Sequence, residues 1–156
     1  LTPDYLVSPE AEPVRNLMDT GIQLGRRFRA LKLWMVLRHF GAEGIRQRLA
    51  EHLRLAKLFA GWVDTSDTFE RLAPVPFSVV CFRACPATVS SDPAALDDLN
   101  ERLLVAVNAT GDVFLSHTKL DGQFVLRLAI GHIRTTERHV ARAWELLQTQ
   151  LADLSQ

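Results

Sequence analysis

The sequence predicts an α+β domain: an antiparallel sheet of about four strands with helices packed on one face. Three observations predict it. Apolar residues recur at helical spacing in some stretches and as strand-like runs in others, in the order α-α-β-β-α-β-β-α. Consecutive strand-like runs are joined by short turn-forming segments, which favours antiparallel pairing over parallel crossovers. The length of 156 residues suits one domain able to bury a core without disulfide or metal staples.

Each element has its own signal. Residues 1–21 carry Pro3, Pro9 and Pro13 among Ser8, Glu10 and Glu12, with no sustained apolar period, and read as an exposed, mobile segment. From Arg26 to Phe40 the pattern is helical, with Phe28, Leu31, Trp34, Met35 and Leu37 at spacings of three and four. Gly41 supplies a C-terminal cap, because glycine enters the left-handed region at no steric cost. A second helix is expected over about Glu43 to Val63. Ile45, Leu49, Leu53, Ala56 and Ala60 form its inner stripe, widened by Leu55, Leu58, Phe59 and Trp62. Arg46, Arg48, Glu51 and Arg54 take the wet side.

After Asp64-Thr65-Ser66-Asp67 the period changes. Phe69 to Leu72 reads as a short strand and Phe77 to Ala84 as a well-buried one, with Pro74-Val75-Pro76 between them. Asp92 as N-cap and Pro93 at the first helical position open a helix carrying Leu96, Leu99, Leu103, Leu104 and Val107. Val113 to Thr118 and Gln123 to Ile130 form a hairpin around Asp121-Gly122, a strong turn signal. Thr135 or Thr136 starts the last helix, which turns Val140, Ala143, Trp144, Leu147 and Leu151 inward.

Composition excludes several classes. Apolar residues make up 47% and charged residues 23%, which argues against wholesale disorder. Eighteen basic residues balance eighteen acidic ones, so no nucleic-acid partner and no membrane partner is expected. No apolar run approaches the ~18–20 residues of a membrane span. Cys81 and Cys85 would lie ~13 Å apart on one strand face, too far for a disulfide. They read as small buried thiols of a reducing, cytoplasmic protein. His39, His52, His117, His132 and His139 share no metal-like spacing, so no metal is expected. There is no Gly-x-Ser-x-Gly elbow, no phosphate-binding glycine loop and no His-Glu-x-x-His. Fifteen arginines stand against three lysines, Lys32, Lys57 and Lys119.

The run Gly25-Arg26-Arg27-Phe28-Arg29-Ala30-Leu31-Lys32-Leu33-Trp34 carries more information than any short motif. It resembles the segment G-R-R-F-R-x-L-K-x-W of group II pyridoxal-phosphate-dependent decarboxylases, in the aromatic-L-amino-acid decarboxylase branch. Arg38-His39-Phe40-Gly41, Phe77 to Arg83, Gln123 to Ile130 and Ala141-Arg142-Ala143-Trp144 agree and fall in the family's order. The resemblance covers nearly the whole chain and maps onto the C-terminal third of the family. One departure is Asp19-Thr20-Gly21, where many members carry an aromatic residue.

That resemblance implies a fold-type I enzyme. Residues 1–24 would be a catalytic-loop-like and linker segment, and residues 25–66 helices linking the large and small domains. Residues 67–156 would be the C-terminal α+β small domain. The cofactor would be pyridoxal 5'-phosphate, an electron sink for loss of the α-carboxylate. Family members hold it on a lysine that follows a histidine. No His-Lys pair occurs here, so the chain reads as a fragment that leaves cofactor binding to an upstream domain and is inactive alone. Thr2-Pro3-Asp4-Tyr5-Leu6 looks like the family's mobile catalytic loop. By that match Tyr5 is the catalytic residue, protonating the carbanionic carbon once carbon dioxide has left. Relatives with phenylalanine there tend towards oxidative aldehyde formation. Gly25 matches a substrate-binding position lining the pocket of the neighbouring subunit in a homodimer, where glycine leaves room for a bulky aromatic ring. Two other readings stay open: a free-standing interaction module with the small-domain fold, and a decarboxylase for a non-aromatic substrate such as glutamate.

Overall fold

The computed structural model describes residues 29–89 and 92–154. The first helix, α1, spans Arg29–Asp64 and is broken at Gly41, whose φ of 66° and ψ of 175° are not helical. Both expected helices are therefore present over the described residues, hinged at the expected glycine. Upstream of the break the side chains are largely exposed; downstream, Leu55, Ala56, Phe59 and Val63 are fully buried. Leu49, expected on the inner stripe, is 57% exposed, although Ile45 and Leu53 on the same stripe are half-buried.

The strands are β1 (Phe69–Arg71), β2 (Val79–Ala84), β3 (Ser116–Leu120) and β4 (Gln123–Ala129), with α2 (Pro93–Ala109) between β2 and β3 and α3 (Glu137–Leu154) at the end. They form one four-stranded sheet in the order β1-β2-β4-β3, and every neighbouring pair is antiparallel. The period of two decides which side packs. Val80, Phe82 and Ala84 of β2 and Phe124, Leu126 and Leu128 of β4 face the helices and are buried. The core closes on Leu99, Leu103 and Val107 of α2 and Ala143, Leu147 and Leu151 of α3. Phe59 sits at its centre, with ring centroids 5.1 Å from Phe82, 5.6 Å from Trp144 and 6.4 Å from Trp62.

Strand boundaries move for identifiable reasons. The third strand begins at Ser116 rather than Val113. Asn108 intercepts the chain there: its Oδ1 accepts the Leu115 N–H at 2.8 Å and its Nδ2 donates to the Leu115 carbonyl at 3.0 Å. Leu115 is thus docked onto the end of α2 before the chain joins the sheet. The second strand begins at Val79, although the Ser78 carbonyl still accepts the Ile130 N–H at 2.8 Å. The hairpin turn is as expected, with Asp121 at φ 51° and Gly122 at φ 81°, both left-handed as a two-residue hairpin loop requires. Thr136 precedes α3 and accepts backbone hydrogen bonds from His139 and Val140. Asp92 is the N-cap of α2 as expected, but its side chain makes no capping hydrogen bond.

Candidate functional site

Tyr5 and Gly25, the two expected site residues, lie outside the described residues, as do the prolines of residues 1–21. The described structure begins at Arg29, four residues after Gly25. Residues 29–40 form a helical segment with Leu33, Trp34 and Met35 more than half exposed and Leu31, Val36 and Leu37 also exposed. At ~100° per residue these six side chains surround the axis. A segment apolar on all sides is normally covered by more protein.

At the lower end of this segment the Arg38 guanidinium lies 5.9 Å from the Trp34 ring centroid, and His39 meets Phe40 edge-on at 4.5 Å. Arg48, across the break, places its guanidinium 4.5 Å from the Phe40 ring centroid and donates from Nη1 to the Ile133 carbonyl at 2.7 Å. The helical wheel put Arg48 on the wet side. It is instead half-buried, because the Phe40 ring from across the break and a carbonyl from the loop before α3 converge on it.

On the face of the sheet away from the helices, Arg83 donates to Glu70 on the neighbouring strand. Cys81 stands opposite Arg127 in the register. Both cysteines are free and half-buried, less enclosed than the sequence suggested. Burial pushes both thiols above the usual thiol range. Arg127 opposes that shift at Cys81, while at Cys85 the Glu70 carboxylate adds to it and Arg83 opposes it. Asn100, which the sequence did not single out, is fully buried. Its Oδ1 accepts the Ala84 N–H at 2.7 Å, and its Nδ2 donates to the carbonyls of Ala84 and Leu96 at 2.9 and 2.8 Å.

Two of the open clefts among the described residues lie elsewhere. One, of about 440 Å³, is lined by Asp67, Thr68, Pro86, Thr88, Gln148 and Leu151. The other, of about 340 Å³, lies along Arg138, His139, Arg142 and Glu145. Among the described residues no group of three His, Cys, Asp or Glu could hold a metal ion, and no helix is long and apolar enough to cross a membrane.

Residues 1–85, over half of the chain, match the family described as pyridoxal-dependent decarboxylase conserved domain. The chain belongs to that family. The matched stretch takes in the Gly25-to-Trp34 run, the break at Gly41 and the first two strands of this decarboxylase-family chain. Tyrosine decarboxylase 2 of Arabidopsis thaliana is 46% identical over 149 residues, covering 94% of this chain and 27% of its own length. Phenylacetaldehyde synthase of Arabidopsis thaliana is 42% identical over 154 residues, 97% of this chain and 31% of its own length. Among solved structures, the Oryza sativa TDC with PLP and tryptamine superposes with a TM-score of 0.77 at 35% identity, covering 92% of this chain and 31% of that one. The chain therefore spans about a third or less of the length of the relatives it matches.

The family's cofactor does not fit the described residues. Lys32, Lys57 and Lys119 are all exposed, on the upstream part of α1, the downstream part of α1 and the edge strand β3. None of them lines either cleft. Among the described residues, then, no lysine is shown placed to hold an aldehyde cofactor.

Proposed function

We propose that this chain is the C-terminal part of a pyridoxal-phosphate-dependent decarboxylase that removes the α-carboxylate from an aromatic L-amino acid. One observation carries the reading. More than nine-tenths of the chain is similar, in sequence and in fold, to relatives named as tyrosine decarboxylase and TDC. The cofactor is held by residues outside this chain, consistent with the exposed lysines. Residues 1–24 act as the catalytic-loop and linker segment, 25–66 as the link between large and small domains, and 67–156 as the small domain. Tyr5 donates its phenolic proton to the substrate carbon after decarboxylation. Gly25 leaves room for the aromatic ring in the pocket of the partner subunit of a homodimer. The apolar circumference of residues 29–40 supports burial in such an assembly, and the two free thiols suit a reducing cytoplasm.

The test uses the full-length protein containing this chain, loaded with cofactor and offered tyrosine, tryptophan, dopa, histidine and glutamate. Amine and carbon dioxide from the aromatic substrates are expected. Turnover of glutamate or histidine alone would overturn the aromatic assignment, and turnover of none would leave the interaction module. The likeness to a phenylacetaldehyde synthase favours one second reading, an aldehyde-forming enzyme, which the product distinguishes directly. In a decarboxylase, Tyr5→Phe lowers amine formation by about 100-fold and diverts product to aldehyde. Unchanged amine output with no aldehyde removes Tyr5 from the mechanism.

A further inference from the structure

We infer that Arg48 is a positioning residue, latching the bend at Gly41 and so fixing the direction of the helical segment of residues 29–40. The inference rests on the reading that Gly25 lines a substrate pocket.

The motif Arg38-His39-Phe40-Gly41 has no part in the chemistry proposed so far. The structure gives it a mechanical one. At φ 66° and ψ 175°, Gly41 occupies backbone space that only glycine enters without strain. A Cβ built there meets nothing within 4 Å, so torsion, not crowding, requires the glycine. Among the described residues, then, nothing occupies the place of a Gly41 side chain to wedge the bend from that side. A swivel without a wedge needs a tie.

Arg48 provides one at three points. Its backbone belongs to the downstream helix. Its guanidinium lies over the ring of Phe40, the last residue before the bend, at 4.5 Å. The same group donates to the Ile133 carbonyl at 2.7 Å, reaching 85 residues along the chain to the loop that precedes α3. His39 packs edge-on against Phe40 at 4.5 Å, giving the ring a second contact. A planar guanidinium can lie flat on a ring while donating in its own plane; an ammonium cannot do both with the same geometry. Loss of the latch lets residues 29–40 swing relative to the downstream body, and four residues of sequence tie Gly25 to Arg29.

The experiment compares Arg48→Ala, Arg48→Lys, Phe40→Leu and the double variant Arg48→Ala/Phe40→Leu in the full-length, cofactor-loaded protein. Arg48→Ala raises KM for the aromatic substrate about tenfold and leaves kcat within about twofold, because binding geometry is lost and chemistry is kept. Arg48→Lys recovers part of the loss, since it still reaches the carbonyl. The double variant is no worse than Arg48→Ala. An unchanged KM in Arg48→Ala, a fall in kcat without a rise in KM, or additive effects of the two single changes each overturns the latch. Amide exchange over residues 38–44 supplies a readout independent of turnover. It speeds up in Arg48→Ala and partly recovers in Arg48→Lys, and equal exchange in all variants overturns the latch. A wild-type protein inactive on every amino acid defeats the proposed function while leaving that exchange result to decide the latch.

Discussion

Cys81 and Cys85 show how a residue's setting fixes its chemistry. Partial burial favours the neutral thiol in both, and the nearby Arg127 and Arg83 do not reverse that preference. The folded chain therefore holds its thiol protons to higher pH than the unfolded chain, whose thiols ionise near pH ~8.5. Linkage sets the sign: this contribution is complete below the unfolded value and is lost as pH rises through the folded values. We expect a denaturant midpoint that is level from about pH 7 to 8 and falls above about pH 9, with a shallower fall in the Cys81→Ala/Cys85→Ala variant. We also expect slow native reaction with a thiol reagent at neutral pH and fast reaction once unfolded. Equal native and unfolded rates would show that the fold does not protect the thiols. Arg48 is the opposite case. Its place on the helical wheel, beside Arg46, Glu51 and Arg54, says water. The ring and carbonyl that claim it come from beyond the break at Gly41 and from 85 residues away. A period along one helix does not encode a partner at that distance.

Elements in this fold were legible where local chemistry dictates them. Gly41, the Asp121-Gly122 turn and the start of α3 behind Thr136 each announce a backbone conformation through residue type, and each stands where the sequence placed it. The first residues of β3 did not, because Asn108 captures Leu115 through side-chain amide bonds that mimic a strand partner. Asn100 was equally hidden: in the run Leu96-Asp97-Asp98-Leu99-Asn100 it looks like one more solvated polar residue. It instead joins α2 to the end of β2, satisfying both backbone groups of Ala84 and the Leu96 carbonyl. Replacing it by alanine strands buried polar groups on two elements, at a cost of about 3 kcal/mol. Urea denaturation of Asn100→Ala beside Arg102→Ala tests this. Among the described residues Arg102 pairs with Asp98 at the surface, at 3.7 Å, so its removal leaves the midpoint in place. Equal midpoints in the two variants would mean that water replaces the Asn100 bonds. As for the proposed site, Tyr5 and Gly25 lie outside the described residues and rest on the family's motifs alone, since neither belongs to an apolar period of the sequence.

At the scale of the molecule the chain is two unlike parts in series. Downstream of Gly41, three helices cover one face of a four-stranded sheet and close a core with no unsatisfied buried side-chain polar atom among the described residues. Upstream, six exposed apolar side chains encircle a helix. Such a surface associates when it is left uncovered. The isolated chain is therefore expected to self-associate with rising concentration and to bind an apolar dye. Leu33→Glu/Met35→Glu should suppress both while leaving the thermal transition of the downstream body unchanged. A wild-type chain that sediments as a monomer at all concentrations and binds no dye would show that the segment is covered from within. The same division gives the protein its own optical labels. Trp34 stands in water upstream of the break, 57% exposed. Trp62 and Trp144 are half-buried against Phe59, their rings 6.5 Å apart and close enough to share excitation energy. Emission therefore separates into a red component that reports whatever covers the upstream helix and a blue component that reports melting of the core. One fluorescence spectrum reads the two parts independently, without any label being attached.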